Sequence, residues 1–289
     1  MKKKIYLHLE GGFGNQLFQY FYAHNLKKKL NASLILDTFT GFFFNFKHKS
    51  SFQIPLKEKI THNSFNLSIK FIFFRLLKKY FLKSNYFQIF NSIFIHDKNK
   101  NFLNFIDLLK RKKIEKIYIL GNFQNEKYFV ENYLNTKNSL NLKKKIQTKY
   151  KTQMNKINFS KSICVGIRMW EEAKFDADKF GGITNFKFYS LAAKRIKIKN
   201  PTYYVFSTVK KEKLKKYLKL PGKVVYIPKL KTRKEYMDTL LFMNKFKYFI
   251  LSNSTFYWWG AYLAKKVEKV VISDKFNNNQ CVPKKWVKL

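Results

Sequence analysis

At 289 residues with 46% apolar content, the chain is long enough for one large or two modest domains with real cores, and a disordered chain is excluded. Lys and Arg number 59 against 17 Asp and Glu, a net charge of +42, which raises three readings: nucleic acid, an anionic membrane surface or a phosphorylated substrate. No apolar run reaches the roughly 18 residues of a membrane span, and Lys2-Lys3-Lys4 precedes only a short strand pattern, so neither a spanning helix nor a signal peptide is expected.

Ile5, Leu7 and Leu9 alternate with more polar neighbours as a strand does, and the glycine turn Gly11-Gly12-Phe13-Gly14 follows. Phe18, Phe21, Leu26 and Leu30 then recur at helical spacing, and Leu34-Ile35-Leu36-Asp37 closes a β-α-β unit, half of a Rossmann-like layer. Such a glycine loop lets the backbone approach a ligand, and the N–H groups opening the next helix favour an anion, so the expected ligand is a phosphate. The loop departs from the dinucleotide fingerprint, since Asn15-Gln16-Leu17 stands where a third glycine belongs, and no P-loop lysine is present.

From residue 38 to 116 the chain is rich in Phe, Asn and Lys with few breakers, and only Ile69 to Leu82 reads as a basic amphipathic helix. A strand Ile117 to Leu120 leads into Gly121 and a helical segment from Tyr128 to Leu134. A lysine-rich helical linker, Lys143 to Lys156, marks a domain boundary, giving domains 1–150 and 151–289. Beyond it come strands at Ser162 to Ile167, Tyr203 to Ser207, Val224 to Ile227, Tyr248 to Leu251 and Val270 to Ser273. Helices at Phe186 to Ile196, Arg233 to Met243 and Phe256 to Lys265 alternate with them, which predicts a parallel sheet in a second α/β domain.

Most of the positive charge is lysine, accompanied by many Asn, Phe and Ile, as codon bias in an adenine-and-thymine-rich genome would produce. Arginine stands only at Arg75, Arg111, Arg168, Arg195 and Arg233, so each suggests a need for the planar fork. Cys164 and Cys281 are far apart with no metal-ligand spacing, and a reduced cytoplasmic setting is the default. Asn253-Ser254-Thr255 fits a glycosylation sequon, a reading that needs export. No zinc spacing, RNP-like motif or helix-turn-helix pattern supports a nucleic-acid-binding module, and the lysines are dispersed.

Gly11-Gly12-Phe13-Gly14-Asn15-Gln16-Leu17-Phe18-Gln19-Tyr20 closely resembles the opening motif Gly-Gly-Leu-Gly-Asn-Gln-Met-Phe-Gln-Tyr of the α-1,2-fucosyltransferases, glycosyltransferase family 11. Gly121-Asn122-Phe123-Gln124 is similar to that family's Gly-Tyr-Phe-Gln segment. Ser252-Asn253-Ser254-Thr255-Phe256-Tyr257-Trp258-Trp259-Gly260 resembles its Asn-Ser-Thr-Phe-Ser-Trp-Trp-Gly signature. Ile163 to Arg168 falls where the family carries His-x-Arg-Arg-Gly-Asp-Tyr. There Gly166 replaces the histidine, Met169-Trp170-Glu171-Glu172 replaces Arg-Gly-Asp-Tyr, and only Arg168 survives. Val205-Phe206-Ser207-Thr208 occupies the place of Phe-Ser-Asp-Asp without either aspartate.

The resemblance implies a GT-B-like α/β fold with two facing Rossmann-like domains, the first on the acceptor side and the second binding a GDP-sugar. It also implies metal-free, cofactor-free inverting transfer of fucose from GDP-fucose to a hydroxyl of a surface glycan, in α-1,2 linkage, as in lipopolysaccharide or capsule synthesis. A transferase for another GDP-deoxyhexose is the alternative. Arg168 is then expected to hold the diphosphate, with Gly12, Gly14, Asn15, Gln16, Ser207, Asn253, Ser254 and Thr255 around the donor, and Glu171 or Glu172 is the candidate base. Three loops are thereby expected to converge on one cleft. The acceptor is an oligosaccharide or lipid-linked glycan, and the basic charge suits peripheral contact with the inner face of an anionic membrane.

Each residue also has a plainer reading: the glycine loop as a tight turn, Asn253-Ser254-Thr255 as a cap, and Trp258 and Trp259 as core rather than sugar platform. Arg168 could equally be an ion-pair partner, and Glu171 and Glu172 solvated acids. Asp176-Ala177-Asp178 lacks the preceding strand that a metal-binding aspartate pair needs.

Overall fold

The computed structural model describes residues 2–43, 51–57, 65–80, 86–97, 105–111, 113–142, 148–169, 182–228, 233–276 and 281–289. The chain divides into two compact units, Met1–Asn141 and Leu142–Leu289.

The first unit is built on a five-stranded sheet in the order β2-β1-β5-β4-β3. Strand β1 (Lys4–His8) leads through the glycine turn into helix α1 (Phe13–Lys29), then β2 (Ser33–Asp37) and the short α2 (Thr40–Phe43). After α3 (Phe65–Tyr80) come β3 (Tyr86–Ile89), β4 (Ser92–His96), α4 (Phe105–Lys110), β5 (Lys116–Leu120) and α5 (Tyr133–Ser139). Alternation along β1 separates its faces. Tyr6 stacks on Tyr118 at 4.7 Å and joins a core that includes Leu67, Phe71 and Phe74 of α3, while Ile5 and Leu7 are buried on the opposite face.

Two elements differ from the sequence expectation. The 128–134 segment forms 3-10 turns at Glu126–Tyr128 and Val130–Asn132 before α5 begins. The sheet is not wholly parallel, because β3 returns antiparallel to β4 through a tight hairpin at Phe90.

The second unit opens with α6 (Thr148–Asn155); residues 143–147 of the expected linker helix lie outside the described residues. Then follow β6 (Ser162–Ile167), α7 (Phe186–Arg195), β7 (Thr202–Ser207), α8 (Lys211–Tyr217), β8 (Lys223–Tyr226) and α9 (Arg233–Met243). The unit ends with β9 (Tyr248–Leu251), α10 (Thr255–Tyr262), β10 (Lys269–Ile272) and β11 (Val287–Lys288). Its six strands lie in the order β11-β10-β9-β6-β7-β8, and every pairing is parallel. Strand β6 is buried along its whole length, as the unbroken apolar run Ile163-Cys164-Val165-Gly166-Ile167 demands of a central parallel strand. Helix α7 is capped by the Asn185 side chain, which accepts from Phe188 N at 3.0 Å, and it packs Phe188, Tyr189, Ala192 and Ala193 into the core.

In chain order this second sheet reads 3-2-1-4-5-6, the doubly wound Rossmann order, and its direction reverses between β6 and β9. Open parallel sheets bind ligands beyond the C-terminal ends of the strands at such points.

Candidate functional site

In the second unit, the residues beyond the reversal point line an open cleft of about 120 Å³. Arg168, immediately after β6, shares it with Ser207 at the end of β7 and with Ser254, Phe256 and Tyr257 at the start of α10. The strand ends are tied together. Arg168 N donates to Ser252 Oγ at 2.8 Å, and Ser252 N donates to Gly166 O at 3.0 Å. The Ile167 carbonyl accepts from Ser207 Oγ at 3.0 Å and from Tyr257 Oη at 3.3 Å. The backbone leading to Arg168 is therefore pinned at the Gly166 and Ile167 carbonyls and at its own N–H, and Arg168 lines the cleft from a braced strand end.

Ser207 has its hydroxyl proton on Ile167 O and accepts from Val209 N at 3.0 Å, so its role in this arrangement is to hold the β6 terminus. Ser254 is the residue before α10, yet its side chain makes no capping hydrogen bond, contrary to the plainer reading of this segment. The start of α10 stands beside the cleft, where Ser254, Phe256 and Tyr257 line it. Asn253 is buried, with Nδ2 donating to Gly182 O at 3.5 Å, and Thr255 opens α10. Trp258 and Trp259 are fully buried, and Trp258 Nε1 donates to Cys281 O at 2.9 Å, so both are core.

Sequence reading missed Thr208. It lines the cleft, and its hydroxyl is buried with no hydrogen-bond partner. An unsatisfied buried hydroxyl is costly, and a site facing a ligand is where such a cost is tolerated. Tyr236 and Phe256, whose rings meet edge-on at 5.9 Å, supply an aromatic wall. Glu171 and Glu172 lie outside the described residues, as does the Asp176-Ala177-Asp178 pair.

The glycine loop of the first unit is held just as closely. Gly11 takes φ +76°, a left-handed value, and a Cβ there would meet Asn15 Nδ2 at 3.1 Å. Gly12 is exposed and extended, and a Cβ there would meet nothing within 4 Å; neither backbone nor packing requires glycine, which leaves room for a close ligand. Gly14 is buried in the first turn of α1. Gln16, fully buried, donates to Gly11 O and Ser51 O, each at 2.9 Å, and accepts from Gln53 N at 2.9 Å. Its amide thus braces the loop from below. Gln19 bonds both Glu10 N and Glu10 O, and Gln124 Nε2, beyond the end of β5, donates to Asn15 Oδ1 at 3.1 Å.

Beside the loop stands a second group that the motifs did not indicate. His8 Nδ1 meets Asp37 Oδ2 at 2.7 Å with both side chains fully buried, and Asp37 Oδ1 accepts from Phe39 N and Thr40 N. Glu10 Oε2 lies 3.7 Å from His8 Nε2 and accepts from the Arg75 guanidinium at 3.1 Å. Burial alone would lower the His8 pKa, but Asp37 and Glu10 outweigh it and raise it. Burial would likewise raise Asp37, yet the His8 hydrogen bond and charge, with the Thr40 bonds, bring it down to about 2. Among the described residues no group of three or more His, Cys, Asp or Glu is placed to hold a metal ion.

No family model matches the chain. Over 97% of its length it is 26% identical to the alpha-1,2-colitosyltransferase of Escherichia coli, 97% of which is covered. It is also 28% identical to the O-antigen biosynthesis glycosyltransferase WbnK of Escherichia coli, over 98% of this chain and 94% of that protein. Two solved structures share the fold. One is a mutant of Arabidopsis thaliana FUT1 in complex with GDP, at TM-score 0.57 and 10% identity, covering 94% of this chain and 70% of that one. The other is the NodZ alpha-1,6-fucosyltransferase of Bradyrhizobium soaked with GDP-fucose, at TM-score 0.51 and 12% identity, covering 96% and 97%. The α/β fold with Rossmann-like parallel sheets is accordingly of the GT-B class.

Proposed function

We propose that the chain is a metal-independent inverting glycosyltransferase that moves fucose from GDP-fucose to a sugar hydroxyl of a bacterial surface glycan, in α-1,2 linkage. The observation that carries this reading is the cleft in which Arg168, the start of α10 and the unpartnered Thr208 hydroxyl meet. A guanidinium at a strand end beside the start of a helix suits a diphosphate. The likeness to two glycosyltransferases along nearly the whole chain supports the reaction class.

In such a transfer the acceptor oxygen attacks the anomeric carbon while the bond to the diphosphate breaks, and charge grows on the leaving group. Arg168 meets that charge with a planar fork on a backbone fixed by Ser252, so little reorganisation is needed as the bond breaks. Gly12 and Asn15 serve the donor from the glycine loop, with Gly14 and Gln16 shaping that loop. Asn253, Ser254 and Thr255 line or open α10. Glu171 or Glu172 takes the acceptor proton, Glu171 being favoured.

The second reading within enzymes, another GDP-activated deoxyhexose, is supported by the colitosyltransferase relative, since colitose is itself a deoxyhexose. A nucleic-acid partner is not proposed, because the candidate cleft fits a small anionic ligand. The reaction is set in the cytoplasm, on an oligosaccharide or lipid-linked acceptor.

The test is GDP release and product formation from GDP-fucose with a panel of short glycans, in EDTA. Turnover unaffected by the chelator supports the proposal. Loss of turnover restored by manganese, or transfer from UDP-sugars alone, overturns it.

A further inference from the structure

Helix α3 is apolar on two sides. Leu67, Phe71 and Phe74 face the sheet and are buried. Ile69, Ile72, Phe73 and Leu76 recur at i, i+3, i+4 and i+7, which sets them on one stripe, and they are 49%, 38%, 50% and 56% exposed. Phe39, just before α2, and Phe43 within it stack at 5.3 Å and are 54% and 55% exposed, and α2 contacts α3. Single exposed apolar residues need no explanation, but four large ones on one stripe of a helix form a face of the kind that marks docking.

The charge around the patch selects what docks there. Helix α3 carries no Asp or Glu, and its sequence holds Lys70, Arg75, Lys78 and Lys79, with Lys70 exposed beside the stripe. The chain as a whole is at +42. At 16 residues with four cations, α3 is too short and too polar to cross a bilayer, and none of the described helices is long and apolar enough to do so. Arg75 is paired with Glu10, so the exposed cation shown beside the stripe is Lys70; an apolar stripe with a lysine beside it, on a helix without an acid of its own in a chain at +42, is the pattern that lies in the plane of an anionic membrane.

We propose that the Ile69, Ile72, Phe73 and Leu76 face of α3, with Phe39 and Phe43, inserts into the headgroup boundary of an anionic lipid bilayer and holds the protein there. The inference rests on α3 and α2 alone and stands whatever sugar the protein transfers.

The difficulty for any test is that a chain at +42 binds anionic vesicles through charge alone. Substitutions that leave the charge untouched separate the two effects. Ile72→Ser with Phe73→Ser is compared with wild type by co-sedimentation with phosphatidylcholine vesicles, with and without phosphatidylglycerol. Wild type is expected to bind the phosphatidylglycerol vesicles and to keep binding at raised salt. The double variant is expected to bind at least about tenfold more weakly, with its melting temperature and its response to GDP unchanged. Ile69→Ser with Leu76→Ser on the same stripe gives the same result, and serves if the first pair folds poorly. Equal binding by both variants and wild type would reduce the association to charge and overturn the proposal. So would a wild-type dimer that either variant converts to monomer, since a second copy would then be the occupant.

Discussion

The ring of Tyr257 fills the space that any side chain at position 166 would need: a Cβ on Gly166 would lie 2.5 Å from Tyr257 Cγ and 2.9 Å from its Cβ. Gly166 sits in β6 two residues before Arg168, and Tyr257 anchors the Ile167 carbonyl between them. The two departures from the fucosyltransferase motifs, glycine for histidine and tyrosine for serine, are thus one packing arrangement. Gly166→Ala should destabilise the second unit by about 1–3 kcal/mol through overpacking. Tyr257→Ser costs stability by itself, but in that background Gly166→Ala should cost much less, a coupling of about 0.5–3 kcal/mol in a denaturant-melt cycle. Strict additivity would mean that the two sites are independent.

Arg168→Lys should fold normally, because the backbone bond to Ser252 does not depend on the side chain. It should nevertheless lose most transfer activity, since lysine keeps one charge and loses the bidentate fork. Near wild-type turnover would remove Arg168 from the chemistry.

Thr208→Val removes a buried hydroxyl that has no partner while keeping the shape. In the absence of ligand it should be neutral or slightly stabilising, yet weaken GDP binding several-fold, on the order of 1 kcal/mol. Unchanged affinity by calorimetry would leave the hydroxyl outside the binding site.

The buried His8–Asp37 pair should shape the pH dependence of stability. Asp37 is lowered to about 2 from 3.8, so its contribution is present above 3.8 and fades as pH falls through the lower value. His8 is raised from 6.5, so its contribution is complete below 6.5 and fades as pH rises through the higher value. The stability gap between wild type and Asp37→Asn should therefore be widest between 3.8 and 6.5 and narrow on both sides in a series of melts. A gap independent of pH would contradict the pairing.

How much of this was legible depended on local chemistry. In the second unit each strand is a short β-branched or aromatic run between breakers, and β6, α9 and β9 fall where the sequence puts them. The region from 38 to 116 resisted because its signals are missing. Helix α3 is the one element legible there, as Ile69 to Leu82, and apolar residues on its outer face as well as its inner one blur its bounds, which are Phe65–Tyr80. The β3–β4 hairpin places φ +49° on Phe90 rather than on a glycine, so no turn dipeptide announces it. Helix α8 buries only Leu214 and reads as a charged loop. At the candidate site, the motifs located Arg168 and the glycine loop. They could not tell which residues face a ligand and which, like Gln16 and Ser207, brace the backbone, because that division is made by tertiary hydrogen bonds.

The central claim is that the cleft beside Arg168 receives a GDP-sugar, and a thermal-shift screen of nucleotides and nucleotide sugars tests it most directly. A ligand at a hundredfold its dissociation constant stabilises by about 2.7 kcal/mol, enough to raise Tm by several degrees. GDP, GDP-fucose and related GDP-deoxyhexoses are predicted to give that rise, to lose it in Arg168→Lys, and UDP-sugars to give none. Stabilisation by UDP-sugars instead, or by no nucleotide at all, would contradict the account.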